Sequence, residues 1–152
     1  MVKYRIAAEE DMELLMSSRL EMLRVVNGFP DTYEFDARLV CESRAYFAQG
    51  DQVTVLAMEQ GQMIGCATLC YIGLMPTFSH PTGRRAHLMN VYTRESYRRQ
   101  GIAARMVEML IREARDRGVT EISLDATEQG RPLYEKMGFA ASKECMVLNL
   151  GE

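Results

Sequence analysis

The chain has 152 residues, with 18 Lys and Arg against 21 Asp and Glu, a net charge of −3 and 47% apolar residues. That size and apolar content fit one globular domain over residues 1–152 with a buried core, which excludes disordered and fibrous architectures. Mild acidity argues against a nucleic-acid partner, yet residues 84 to 117 hold nine Arg against four acids, a local +5 that leaves −8 elsewhere and suits a small polyanion such as a phosphorylated cofactor.

In chain order, Tyr4 to Ala7 reads as a short strand. Ala8-Glu9-Glu10-Asp11 opens a helix in which Met12, Leu15, Met16, Leu20, Leu23 and Val26 recur at spacings of three and four, and Asn27-Gly28 followed by Pro30 stops it. The acids of this segment stand where a signal peptide needs an apolar run, and no stretch is apolar for long enough to span a bilayer, so a cytoplasmic protein with no membrane partner is expected. A second helix runs from about Asp36 to Ala48, with Leu39, Val40, Tyr46 and Phe47 on one side and Gly50 as its stop. Val53 to Met58 and Met63 to Leu74 are strands joined by a hairpin turn at Gln60-Gly61-Gln62. Met75 to Ala86, with Pro76, Pro81 and Gly83, reads as a loop, and His87 to Thr93 returns to strand composition.

The polar, basic segment Arg94 to Ala103 leads into an amphipathic helix with Ala103, Met106, Val107, Leu110, Ile111 and Ala114 at helical spacing, ended by Gly118. Ile122 to Ala126 is a strand, Arg131 to Met137 a short helix stopped by Gly138, and Cys145 to Leu150 a final strand. The order predicts an α/β domain with a mixed sheet, in which strand 87–93, helix 103–117 and strand 122–126 form one right-handed βαβ unit. The cysteines, Cys41, Cys66, Cys70 and Cys145, include no C-x-x-C and support neither a disulfide framework nor a metal site. Cys66 and Cys70 are an even number of positions apart, so on a strand they share a face as small buried hydrophobes.

Between strand and helix lies Arg98-Arg99-Gln100-Gly101-Ile102-Ala103-Ala104. Gly101 lets the backbone approach a ligand, Ala103 is too small to block it, and the first helical N–H groups lack intrahelical acceptors. Such a turn can receive a pyrophosphate by backbone hydrogen bonds at the positive end of the helix dipole. It is neither a dinucleotide G-x-G-x-x-G nor a Walker A loop, and on spacing alone it reads equally as a solvated basic loop.

Two motifs in order separate these readings. Arg98, Gly101 and Ala103 match Arg/Gln-x-x-Gly-x-Gly/Ala, and Leu133-Tyr134-Glu135-Lys136-Met137-Gly138-Phe139 matches Leu-Tyr-x-x-x-Gly-Phe, with one helix and one strand between. With both, the chain resembles the GNAT superfamily of acyl-CoA-dependent N-acetyltransferases, most specifically from about His87 to Leu150. The resemblance implies a GNAT fold: a mixed central sheet with antiparallel N-terminal strands, splayed between the fourth and fifth strands and flanked by about four helices. Acetyl-CoA is then the cosubstrate. Its pantetheine arm would lie in the splay against the backbone of Val91, Tyr92 and Thr93, with main-chain groups from Arg99 to Ala104 on the pyrophosphate. Arg94, Arg99, Arg105 and Arg131 are candidates for its 3′-phosphate.

The implied reaction is acetylation of a primary amine by direct attack in a ternary complex. Tyr134 matches the Tyr that in many relatives protonates the departing sulfur; the alternative is a packing Tyr under the sheet. His87 stands close to where some relatives carry a base, and a side chain with an ordinary pKa of about 6.5 suits that role. Asn90 is a polar strand residue that can orient substrate or water. His87, Asn90 and Val91 cannot share a face on a regular strand, although a bulge here is common in the family. Thr127 departs from the Asn of many relatives and takes its place as a candidate cofactor contact. The acceptor pocket is expected from the first two helices, the loop 75–86 and the fourth and fifth strands, for a small-molecule amine; a peptide or protein amine, or a non-catalytic acyl-CoA sensor, are the alternatives. Pairing through the last strands implies a homodimer.

Overall fold

Residues 1–151 are described by a computed structural model. The strands are β1 (Lys3–Ile6), β2 (Gln52–Glu59), β3 (Gln62–Gly73), β4 (Arg84–Thr93) and β5 (Glu121–Leu124), and the helices α1 (Met12–Asn27), α2 (Ala37–Gln49), α3 (Ile102–Asp116) and α4 (Arg131–Lys136). They form one sheet in the order β1-β2-β3-β4-β5. Every neighbouring pair is antiparallel except β4 and β5, which are parallel across α3. This is the mixed sheet with four flanking helices that the motif order predicts.

Period-two alternation sorts the strand residues onto two faces. Val55, Ala57, Ala67, Leu69, Ala86 and Leu88 join Ile102, Met106, Val107 and Leu110 of α3 in one core. Each Val, Leu, Ile or Met among them contributes roughly 1.5–3 kcal/mol on burial, which is why the strongly amphipathic α3 seats so firmly. Leu56, Cys66 and Tyr92 occupy the opposite face with Leu15 and Met22 of α1. Cys66 is fully buried there, and burial raises its thiol pKa to about 11. Among the described residues no helix is long and apolar enough to cross a membrane.

The hairpin turn between β2 and β3 is two residues long, Gln60 and Gly61, both with positive φ (50° and 77°). That geometry matches the twist of the flanking strands and accounts for the Gly. Gly28 caps α1 as its position suggests, although a single 3-10 turn, Glu9–Asp11, precedes the helix proper. β4 begins at Arg84 rather than His87, because Arg84 and Arg85 pair with Gly73 and Ile72 and extend the ladder outward. The loop before it is correspondingly shorter than composition indicates.

One expected element is absent. Cys145 to Leu150 forms no strand; Met146, Val147, Leu148 and Leu150 are 94%, 87%, 82% and 86% exposed. The segment has strand-forming side chains but makes no ladder within this chain, and a strand needs a neighbour to satisfy its backbone groups.

β4 carries a bulge. Met89 lies opposite Thr68 and Tyr92 opposite Cys66, so Asn90 and Val91 together face Ala67. Asn90 adopts φ 59°, a left-handed conformation that Asn tolerates better than most residues. The extra residue reverses the alternation. His87, Met89, Asn90 and Tyr92 therefore fall on the α1 side, while Val91 turns to the α3 side.

Candidate active site

β5 pairs with β4 only from Arg85 to Leu88, leaving the edge of β4 from Met89 to Thr93 without a strand beside it. The two strands part there, as the expected splay requires. At the end of that open edge the Thr93 hydroxyl is buried with no hydrogen-bond partner among the described residues. Arg98 Nε donates to the Thr93 carbonyl at 3.0 Å, so one arginine of the motif ties the turn to the strand.

The turn itself places Arg99 and Gly101 in positive φ (63° and 78°) and starts α3 without a side-chain cap. The Arg105 amide donates to the Gly101 carbonyl, and the amides of Ile102, Ala103 and Ala104 find no acceptor among the described residues. These are the unsatisfied donors of a helix N-terminus, aimed outward. A Cβ added at Gly101 would meet nothing within 4 Å, so the space above the turn is open to a ligand.

The basic block divides. Arg112, Arg115 and Arg117 lie toward the C-terminal end of α3, about 16 Å or more from the turn along a 15-residue helix. Arg117 pairs with Asp51 at 3.0 Å and stacks on Tyr71; Arg85 pairs with Glu121 at 3.2 Å. At the turn, Arg94 is removed from the candidates for a cofactor phosphate. Glu21 of α1 accepts from its Nε and Nη2, each at 2.9 Å, and from the Tyr92 hydroxyl at 2.8 Å. Arg105 lies over the Tyr4 ring, whereas Arg99 and Arg131 are exposed and pair with no carboxylate among the described residues.

The Arg94 guanidinium, with a smaller contribution from the Tyr92 hydroxyl, holds the Glu21 carboxyl below its ordinary value of 4.5. A carboxyl depressed in the folded state stabilises the protein above its unfolded pKa and loses that contribution as pH falls through the folded one. Glu21→Gln is therefore expected to lower Tm at pH 7, with the gap to wild type closing as pH falls below the ordinary carboxyl value of 4.5. A gap that persists undiminished under acid would show that Glu21 acts other than as a carboxylate.

Tyr134, near the middle of α4, is half-buried against the α3-side core and meets Phe139 edge-on, ring centroids 5.8 Å apart. Its hydroxyl has no hydrogen-bond partner among the described residues, and burial raises its pKa, which keeps the phenol protonated. Thr127 is engaged locally: its hydroxyl accepts from the Gly130 amide at 3.1 Å and its carbonyl from Arg131, so the side chain shapes the start of α4.

On the opposite face, α1, α2, β3 and β4 enclose a cleft of about 1050 Å³ whose wall includes His87, Met89, Asn90, Thr68 and Cys70. His87 Nδ1 is 2.7 Å from the Ser123 hydroxyl, and Nε2 lies 3.6 Å from the exposed Asp125 carboxylate. Asn90, 7% exposed, accepts from Arg19 Nη1 at 3.2 Å and donates to the Thr68 hydroxyl at 3.1 Å. Thr68 bonds Thr54 at 2.8 Å, and Thr54 donates to Gln52 at 2.7 Å, so a buried polar chain runs across three strands.

The structure thus brings His87 and Asn90 together on one wall, and Thr93 with the 98–104 turn at the end of the splay. Tyr134 belongs to the α3 side. Sequence reading missed Arg19 and Glu21. Arg19 had a signal: it falls four residues after Leu15 and three before Met22, a charge on the apolar stripe of α1.

Residues 19–139 match the family model of the acetyltransferase (GNAT) family. The chain belongs to this family. A predicted acetyltransferase from Clostridium acetobutylicum, crystallised with acetyl-CoA, is 35% identical and superposes with a TM-score of 0.86 over 99% of this chain and 97% of that one. A GCN5-related N-acetyltransferase from Ralstonia eutropha is 26% identical, with a TM-score of 0.78 over 99% and 100%. Among curated proteins, glucosamine 6-phosphate N-acetyltransferase of Trypanosoma brucei brucei is 27% identical over 98% of this chain and 96% of its own length. This GNAT acetyltransferase is accordingly an enzyme of acyl transfer.

Proposed function

We propose that this GNAT acetyltransferase moves the acetyl group of acetyl-CoA to the primary amine of a small molecule by direct attack in a ternary complex. The observation that carries the reading is that one strand, β4, serves two spaces: its open edge from Met89 leads to the unsatisfied α3 amides, and its His87, Met89 and Asn90 line the acceptor cleft. The orphaned Thr93 hydroxyl, the free amides and the open space over Gly101 fit the cosubstrate. The main chain of Val91, Tyr92 and Thr93 would lie along the pantetheine, and the backbone from Arg99 to Ala104 would hold the pyrophosphate. Arg99 and Arg131 remain free for the 3′-phosphate, while Arg98 and Thr127 act by shaping the turn and the start of α4.

When bound, acetyl-CoA supplies an activated acyl carbon and a sulfur leaving group. His87, set by Ser123, takes the proton that the amine must lose, and Asn90 orients the acceptor or a water beside it. Tyr134 holds its phenolic proton at Oη and gives it to the departing sulfur. The small-molecule reading draws on the volume of the cleft and on the amino-sugar substrate in the name of the trypanosomal relative. The test is acetyl-CoA-dependent thiol release across small amines, peptide N-termini and lysyl peptides. Turnover restricted to peptides would replace the acceptor, and failure of every amine despite acetyl-CoA binding would leave a sensor.

A homodimer belongs to the same proposal. The exposed apolar segment 146–150 and the β5 edge that no strand covers among the described residues are complementary surfaces for two copies. Sedimentation is expected to give a dimer for the wild type and a monomer for Val147→Asp, and a monomeric wild type would reject this assembly.

A further inference from the structure

Arg19 is half-buried at the wall of the acceptor cleft and has no carboxylate partner among the described residues. One of its five N–H donors is committed, to Asn90 Oδ1 at 3.2 Å. The groups behind Asn90 are neutral: Thr68, Thr54 and Gln52, ending on the Phe47 carbonyl at 3.2 Å. This chain aims the guanidinium without neutralising it. Two acids, Asp36 and Glu42, line the same cleft, yet neither pairs with Arg19; Asp36 accepts from the Arg38 amide at the start of α2, and Glu21 of α1 holds Arg94 and Tyr92. Burial lowers the Arg19 pKa, the mark of a cation deprived of water, yet a guanidinium stays charged in proteins.

A half-buried charge, held in place and partly stripped of water but unpaired, is costly to the fold unless a ligand completes it. We infer that the acceptor carries an anionic group, a carboxylate or a phosphate monoester, in the same molecule as its amine, and that Arg19 binds this group. This inference rests on the acetyl-transfer reading above. His87 and Asn90 are three residues apart on β4, no more than about 10 Å along a strand, so one small molecule can present its amine to His87 and its anion to Arg19. The planar guanidinium suits either oxyanion through paired donors. Arg19 is thus a specificity-determining residue, separate from the groups that handle protons.

The experiment compares matched amines that differ in one charge: an amino acid against its amide, and an amino sugar against its phosphate monoester. Wild-type enzyme is expected to favour the anionic member at least ten-fold in kcat/KM, through KM, and the pair that shows it tells carboxylate from phosphate. Arg19→Gln should bring that preference to within about two-fold, with Arg19→Lys intermediate and the acetyl-CoA dissociation constant unaltered in both. No preference in the wild type, or an equal loss on both members of each pair, overturns the inference and leaves Arg19 a structural residue. If no amine is acetylated, the transfer reading fails, and phosphorus NMR titration of inorganic phosphate, with coenzyme A present to fill the α3 turn, decides the anion site separately. Saturable binding lost in Arg19→Gln supports it; absence of saturable binding, or binding indifferent to the substitution, overturns it.

Discussion

Tyr134→Phe is expected to lower kcat about a hundred-fold while leaving the acetyl-CoA dissociation constant unchanged, the range by which a positioned general acid accelerates proton transfer. The substitution removes one oxygen and keeps the ring, so the edge-on contact with Phe139 and the packing of α4 against the α3-side core survive. Burial raises the phenol pKa, so the acid form persists through the neutral and mildly alkaline range. The alkaline limb of the wild-type kcat profile should therefore lie above the ordinary Tyr value of 10. Single-turnover measurement with saturating amine separates chemistry from product release. An unchanged kcat in Tyr134→Phe would reduce Tyr134 to a packing residue.

Gly101→Val should weaken acetyl-CoA binding about a hundred-fold or more, since two hydrogen bonds to a charged group contribute roughly 1.5–3 kcal/mol each. The protein leaves open space where the new side chain would stand, so a clash with the chain itself is not the cause. Two effects combine: the branched side chain would occupy the volume over the α3 amides, and its φ of 78° costs an L-residue roughly 1–2 kcal/mol. Gly101→Ala carries that strain with little bulk and measures it. Calorimetric titration of both variants should show a larger loss for Val than for Ala, and equal affinity in all three proteins would place the pyrophosphate elsewhere.

Much of the architecture was legible because its signals are local. The 3.6-residue period of α3, the Gln60-Gly61 turn and the Gly101 helix start each express a preference carried by a few adjacent residues. The shared face of Cys66 and Cys70 follows from strand alternation in the same way, with Cys66 in the α1-side core and Cys70 on the cleft wall. Alternation could not place His87 and Asn90 together, since a regular strand forbids it. The bulge does, and its signal is a single Asn able to take positive φ.

The element order through α4, the turn that opens α3 and the two motifs that mark the family are legible in neighbouring residues, because backbone preference and hydrophobic period are local. Which charges are spent and which stay free depends instead on contacts between distant segments. Arg94, one of four candidates for the 3′-phosphate, pairs with Glu21, 73 positions earlier, while Arg19, which local spacing gave no role, is held in the cleft by Asn90, 71 positions later. Segment 145–150 likewise has strand composition without a ladder, since pairing depends on what lies alongside. Such partnerships arise from strand order and bulge parity, which bring distant residues within 3 Å or so and leave no trace in local spacing.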